Sequence, residues 1–326
     1  MKILVTGGAG YIGSNVAINL IDAGYEVTVI DDLSTGNTKL IPKEADFIKC
    51  NINELEKLEK LIIKKNFTAI MHFAAFVEVE ESVRYPDKYF LNNYINSQRL
   101  FDVCIKNNLN NIVFSSTAAA YGVTEKKGLI SENTELNPNS PYAESKIKAE
   151  NYLLGINSKK LNFMILRYFN VAGADPKMRS GLISKKATHL IKIASEAALG
   201  KRKHVIINGN DYETIDGTAI RDYIHVSDLA NIHIKSLEYL IHNKKSEIIN
   251  CGYGQGHSVK EVLDTTNRFS KNKILIKYGP RRSGDVSCLI ADVNKLKKII
   301  NWTPKYNNLE FIIKTAIEWE KKISNE

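Results

Sequence analysis

Seven residues near the start, Gly7-Gly8-Ala9-Gly10-Tyr11-Ile12-Gly13, constrain the fold of this chain more than any other stretch. They follow an apolar run, Lys2 to Thr6, that reads as a strand. They open a segment, Tyr11 to Ala23, in which Ile12, Val16, Leu20 and Ile21 recur at helical spacing as far as Gly24. Glycines at a strand-to-helix turn permit a tight backbone path and close approach to a pyrophosphate. The helix N-terminus adds amide donors and the positive end of its dipole. A glycine pattern alone is weak, but here a second strand, Glu26 to Ile30, ends at Asp31, 18 residues after Gly13. A carboxylate there can accept hydrogen bonds from an adenosine ribose. Its charge disfavours a 2′-phosphate, so the expected cofactor is NAD rather than NADP.

The alternation continues. Strand-like runs at Phe47 to Cys50, Ala69 to Phe73, Asn111 to Ser115 and Phe163 to Arg167 are separated by helical stretches at Glu54 to Lys65, Asp87 to Asn107 and Pro141 to Gly155. Strand and helix in turn predict a parallel sheet covered on both faces. The expected fold class is α/β: a Rossmann-type doubly wound parallel sheet with a smaller, interleaved C-terminal α/β substrate lobe. After Asn170 the rhythm breaks through the loop-rich stretch 172–186, and a helix runs to about Ala198. A helix from Ser227 to His242 and a strand from Glu247 to Asn250 read as a return to the sheet. Three further helices, Ser258 to Phe269, Asp292 to Ile300 and Leu309 to Lys322, belong to the smaller lobe. The boundaries predicted are 1–170 for the dinucleotide domain, completed by about 222–252, and 171–221 with 253–326 for the substrate lobe.

Charge and composition exclude several classes of function. The net charge of +9 is spread as short pairs such as Lys64-Lys65, Lys126-Lys127 and Lys297-Lys298, without a long tract or interleaved aromatics, so no nucleic-acid partner is expected. A mildly positive surface also suits an anionic small substrate. No apolar run reaches the ~18 residues needed to cross a bilayer, and no secretory signal is expected at the N-terminus. Cys50, Cys104, Cys251 and Cys288 are scattered, which favours reduced thiols and a cytoplasmic location over a disulfide framework or a zinc site. The histidines form no metal motif; His225 and His233 read as structural.

Tyr142 and Lys146, in Pro141-Tyr142-Ala143-Glu144-Ser145-Lys146, lie one turn apart if that segment is helical. A free tyrosine titrates near pH ~10, too high for a base at neutral pH. A neighbouring ammonium favours the phenolate and lowers that value. Tyr-x-x-x-Lys also occurs on ordinary solvated helices. Its position after a dinucleotide loop is what makes a hydride-transfer pair of it.

Together these features resemble the extended short-chain dehydrogenase/reductase family, and within it the UDP-glucose 4-epimerases, nearly end to end. The likeness is carried by Gly7 to Ser14, His72-Phe73-Ala74-Ala75, Phe114-Ser115-Ser116-Thr117, Tyr121-Gly122, Pro141-Tyr142 to Lys146, Arg167-Tyr168-Phe169-Asn170, Arg221-Asp222-Tyr223-Ile224-His225-Val226 and Arg281-Arg282-Ser283-Gly284-Asp285. The resemblance implies that Tyr142 is the base on the sugar 4-hydroxyl, that Lys146 holds the nicotinamide ribose and lowers the Tyr142 pKa, and that Thr117 lies close to the same hydroxyl. On the NAD side it implies Gly7, Gly10, Tyr11, Ile12, Gly13, Asp31, Asn51, Ile52, Phe73, Ala74, Ala75, Asn92, Ser115, Tyr142, Lys146 and Phe169. On the substrate side it implies Thr117, Tyr142, Asn170, His189, Arg221, Tyr223, Arg282, Asp285 and Leu289. Guanidinium groups suit a diphosphate because they offer fixed, bidentate donors. No metal is implied.

Four positions depart from the family pattern. Asn51 stands for a frequent Asp facing the adenine amine, and its amide oxygen can still accept. Val77 stands for a frequent Lys, His189 for a substrate-contacting Asn, and Asn208 for a Phe in the uridine region. The implied activity is interconversion of UDP-glucose and UDP-galactose through a 4-keto intermediate, an isomerase reaction. A 4,6-dehydratase would need an Asp-Glu pair after Thr117, where this chain has Ala118-Ala119-Ala120. A UDP-uronate 4-epimerase or decarboxylase, or a non-catalytic NAD-binding regulator, stays open. Leu289, smaller than the aromatic that closes this position in some relatives, implies that UDP-GlcNAc and UDP-GalNAc are also accepted. The resemblance further implies a homodimer through the helices at 87–107 and 141–155.

Overall fold

The computed structural model describes residues 1–123, 128–156, 161–184, 187–271, 273–282 and 284–325. Lys126, Lys127 and Ser283, named above, lie outside them. Seven strands form one sheet: β1 (Lys2–Thr6), β2 (Glu26–Asp31), β3 (Asp46–Lys49), β4 (Ala69–His72), β5 (Asn111–Thr117), β6 (Asn162–Tyr168) and β10 (Glu247–Cys251), in the order β10-β6-β5-β4-β1-β2-β3. Every pairing in it is parallel. Parallel strands need crossovers, and helices α1 (Tyr11–Asp22), α2 (Leu55–Lys65), α5 (Ser97–Lys106), α6 (Pro141–Gly155) and α8 (Val226–Asn243) supply them.

The pleat explains why the strands are apolar throughout. In β1, Ile3 and Val5 join the core that includes Val16 and Leu20 of α1 and Leu229 and Leu237 of α8. Leu4 points the other way, into the core built with Leu58 of α2, Leu100 of α5 and Leu153 of α6. Both faces are therefore dry, as expected from the alternation.

The helix expected over 87–107 is more elaborate. A short helix α3 (Val79–Arg84) precedes it, α4 (Pro86–Tyr89) opens it, and Phe90–Asn96 widens into a π-helix before α5. Asn93 in that π segment turns inward and donates to the Phe76 carbonyl at 2.9 Å and to Ser145 Oγ at 3.2 Å. π segments of this kind recur at functional sites.

The second unexpected feature is a separate sheet. Strand β9 (Ile220–His225) pairs with β7 (Asn170–Ala172) and β13 (Cys288–Leu289) in parallel and with β11 (Gly256–Ser258) antiparallel. A further pair joins β8 (Val205–Asn208) to β12 (Ile276–Gly279). Helices α7 (Leu190–Ala198), α9 (Val259–Asn267), α10 (Asn294–Ile300) and α11 (Leu309–Ser324) complete the chain. β7, β11 and β13 are only two or three residues long and carry almost no periodic signal, so their registers were invisible in the sequence.

Candidate active site

β5 runs two residues further than expected and delivers Thr117 to its C-terminal end. There the Thr117 hydroxyl shares a hydrogen bond with the phenol of Tyr142 and also accepts from Ala119 N at 3.1 Å, capping the 118–121 turn. α6 starts on a Ser140 cap, whose Oγ accepts from Ala143 N at 3.3 Å, with Pro141 as its first residue. Tyr142, Lys146 and Glu150 then follow at four-residue steps on one face.

Burial dominates the electrostatics of this group. Burial raises the Tyr142 pKa above its ordinary value, and only the Thr117 bond works against it. Lys146 is buried as well. It is 3% exposed, and burial drives its pKa down to about 7, while Glu150 pulls the other way. The Lys146 Nζ sits 4.2 Å from the ring centre of Phe114.

Glu150, fully buried, is a residue sequence reasoning missed. It accepts from Arg167 Nε at 3.1 Å and Arg167 Nη2 at 2.6 Å, and from Ser116 Oγ. Arg167 Nη1 reaches the Tyr121 hydroxyl at 3.1 Å, which donates to Asn250 Oδ1 at 2.6 Å. The signal was present: Glu150 is one turn beyond Lys146. On the other face of the sheet Ser115 bonds Tyr168. Tyr168 in turn lies 2.6 Å from His233 Nε2, and His233 Nδ1 is 2.8 Å from the Leu229 carbonyl. A carbonyl only accepts, so Nδ1 carries the proton and the Tyr168 hydroxyl donates to Nε2. His225 and His233 are buried and held neutral, burial lowering their pKa to about 3 and about 4, which fits the structural role expected of them.

The glycine loop fits a dinucleotide. Gly7 has φ +70°, and a Cβ there would meet Ala74 N at 2.6 Å; a Cβ on Gly13 would meet the Gly7 carbonyl at 2.3 Å. Gly10 caps α1 without a side-chain acceptor, and the first turn carries no acid, so its amides remain open to an anion. Asp31 is buried at the end of β2. Its carboxylate accepts from Ala9 N at 3.0 Å and Leu33 N at 2.8 Å, so it also fixes the loop expected to cradle the pyrophosphate. Ile52, Ser115 and Phe169 are buried, and Phe73, Ala74, Ala75 and Asn92 are half-buried. Asn51 is less free than expected. Its amide nitrogen donates to Asp32 Oδ2 at 2.6 Å, and its oxygen already accepts from Asn53 N at 3.0 Å.

Tyr11 is spoken for as well. Its hydroxyl donates to the Gly173 carbonyl at 2.6 Å, tying the glycine loop to the segment that follows β7. A cleft there brings together Tyr11, Asn170, His189 and Tyr223, four of the expected site residues, with Lys192 and Glu320 at its wall. Asn170 and Tyr223 are register partners across β7 and β9. Tyr142, Lys146 and Thr117 do not line this cleft. Beside it, Arg221 pairs with Asp285 and donates to the Ile220 carbonyl at 2.8 Å, and Leu289 is the register partner of Arg221. Arg282 is exposed and has no ion-pair partner among the described residues. Asp222 points inward, accepting from Tyr253 N at 2.9 Å and Gly254 N at 2.9 Å, and so fixes the strand that presents its neighbours Arg221 and Tyr223.

A parallel sheet with a glycine cradle at its first crossover and a Thr-Tyr-Lys group at the end of β5 defines a dinucleotide-dependent oxidoreductase-type fold. Residues 3–252 match the NAD dependent epimerase/dehydratase family, and the chain belongs to it. A UDP-glucose 4-epimerase of Azospirillum brasilense is 43% identical over 323 residues, covering 99% of this chain and 92% of the relative. A UDP-Glc/GlcNAc 4-epimerase from Campylobacter jejuni superposes with a TM-score of 0.87 at 41% identity, covering 98% and 99% of the two chains. The UDP-glucose 4-epimerase of Brucella ovis in complex with NAD superposes with a TM-score of 0.92 at 37% identity, covering 97% of each.

Proposed function

We infer that the protein is an NAD-dependent isomerase that inverts C4 of a UDP-hexose, interconverting UDP-glucose and UDP-galactose. The observation that carries this reading is the hydrogen-bonded pair Thr117–Tyr142 at the end of β5, followed by three alanines instead of acids. That site can move one proton on and off a hydroxyl, and the three positions after Thr117 hold no acid to expel another. Relatives at 43% and 37% identity named as UDP-glucose 4-epimerases support it. Incubating the protein with UDP-galactose and following UDP-glucose tests it, and absence of C4 inversion would refute it.

NAD, when bound, supplies the hydride acceptor and a positive ring charge that favours a nearby phenolate. The chain's own residues do the rest. Tyr142 takes the proton of the sugar 4-hydroxyl as the C4 hydride departs, with Thr117 orienting that hydroxyl. It returns the proton when the hydride comes back to the other face, so nothing is consumed. Lys146 offers three N–H donors to the ribose. Arg221, held by Asp285, and Arg282 anchor the diphosphate while the hexose between them is left free to turn. The glycine cradle, with Asp31 fixing it, holds the pyrophosphate.

Three finer points belong to the same reading. UDP-N-acetylhexosamines are substrates as well; the short Leu289 beside Arg221 supports this, as does the Campylobacter jejuni relative, named for both Glc and GlcNAc. The protein is a cytoplasmic homodimer through the helices at 87–107 and 141–155, a reading favoured by Leu91 and Leu154, 53% and 49% exposed on those segments. The sheet and the smaller lobe divide at 1–170 with 222–252 against 171–221 with 253–326, favoured by the return of β10 to the large sheet.

A further inference from the structure

We propose that Phe114 is a positioning residue of this active site: the face of its ring holds the Lys146 ammonium in place and charged, leaving its N–H donors for ligand. The inference rests on the reading of the site given above, and it assigns a role to a residue with no polar atom.

Lys146 has an unusual environment for a cation. It is 3% exposed, and none of the described residues gives its Nζ a hydrogen bond or an ion pair. What it does have is the Phe114 ring, 4.2 Å away, at the distance where the negative face of an aromatic attracts a cation most usefully when water is excluded. The ring cannot drift. Phe114 is fully buried, its ring stacks on His72 with an interplanar angle of 17°, and Phe101 meets it edge-on at 5.7 Å. His72 is itself pinned between Thr6 Oγ1 at 2.6 Å and Ser97 Oγ at 2.9 Å. Thus the platform under Lys146 is braced by three strands and a helix.

The charged and titratable groups around Lys146 leave this task to the ring. On α6, Glu150 favours the ammonium but is committed to Arg167 of β6 and Ser116 of β5. Tyr142 is held neutral by burial and bonded to Thr117. His72 on β4 is neutral, its pKa pushed to about 3 by burial and by Lys146. Tyr121 is taken by Arg167 and Asn250. From the π segment, Asn93 contributes an uncharged amide spent on Ser145 and Phe76.

Replacing Phe114 with mono-, di- and trifluorinated phenylalanine tests this, because fluorine weakens the ring face while keeping its shape. In the NAD-loaded enzyme the alkaline limb of kcat/KM should move stepwise to lower pH, by up to roughly one unit over the series. Phe114→Leu should move it in the same direction. In parallel, 15N resonances of Lys146 Nζ should titrate at progressively lower pH. A limb and a titration that stay put across the fluorinated series would overturn the proposal. If the parent protein fails to invert C4 at all, the reading of the site fails, while the Nζ titration still decides the role of Phe114.

Discussion

Leu289 and Arg221 are direct neighbours, paired across β13 and β9. The residue expected to set room beside the sugar therefore shares a strand register with the arginine expected to hold the diphosphate. Backbone pairing sets the two Cα positions side by side, so a larger residue at 289 takes up room next to Arg221. Leu289→Tyr should suppress turnover of UDP-N-acetylgalactosamine by about 10–100-fold, as steric exclusion of this size allows, and leave UDP-galactose within a few-fold of the parent. Assaying the two sugars side by side decides it; equal losses on both would show that residue 289 packs a wall and does not select.

Tyr142→Phe removes the proton acceptor and spares the ring. General acid–base groups contribute ~10²–10⁴-fold, so epimerisation should fall within that range. Dinucleotide content after purification should be unchanged, since the cradle is built elsewhere. Near-parental activity in this variant would exclude Tyr142 as the base.

Lys146 predicts a trade between stability and function. Its folded pKa lies near 7 against an ordinary 10.5, so between those values the unfolded chain binds the extra proton. Stability therefore gains as pH rises from 7 towards 10.5, and the full cost of burying the ammonium is felt below pH 7. Lys146→Met should abolish turnover yet stabilise the fold by a few kcal/mol, roughly 2–4, at pH 6–7, with the gain shrinking towards pH 10. Denaturant midpoints at three pH values measure this, and a gain independent of pH would contradict it.

Glu150→Ala leaves Arg167 as an unpaired buried cation. Breaking one side of a buried ion pair costs ~3–5 kcal/mol, so a large fall in thermal midpoint is expected. The double variant Glu150→Gln with Arg167→Met should recover much of it. Failure of the double variant to improve on the single would mean that the pair is not the source of the loss.

Gly13→Ala places a methyl where the Gly7 carbonyl lies 2.3 Å away. The cradle must open to admit it, so the purified protein should carry little dinucleotide, as released nucleotide absorbance will show. Retention at parental levels would mean that the loop is softer than its packing indicates. For the proposed dimer, Leu91→Asp with Leu154→Asp should give the monomer mass in light scattering; an unchanged mass would place the interface elsewhere.

The large sheet was legible because its physics is local. Buried parallel strands are apolar throughout and the crossover helices are amphipathic, so β1 to β6, α1, α2 and α6 were found within two or three residues of their ends. Glycine spacing and Asp31 pointed to the cradle for the same reason. The small sheet was not legible. β7, β11 and β13 have two or three residues each, and the meaning of the sheet lies in which strand lies beside which, a fact that no window of sequence contains.

Sequence by itself determined the chemistry of the parts: a glycine turn that admits a pyrophosphate, a phenol and an amine one turn apart, and alanines where a dehydrating acid would stand. Only the tertiary structure decided their energetics. It showed that Lys146 is buried against the Phe114 ring and that burial raises the Tyr142 pKa, a cost that spacing along the helix does not reveal. It showed that Asn51 and Tyr11 have already spent polar atoms on the protein, and that Leu289 stands beside Arg221. Spacing along a helix tells which groups can meet, whereas burial sets the cost of charge, and burial is a property of everything packed around them.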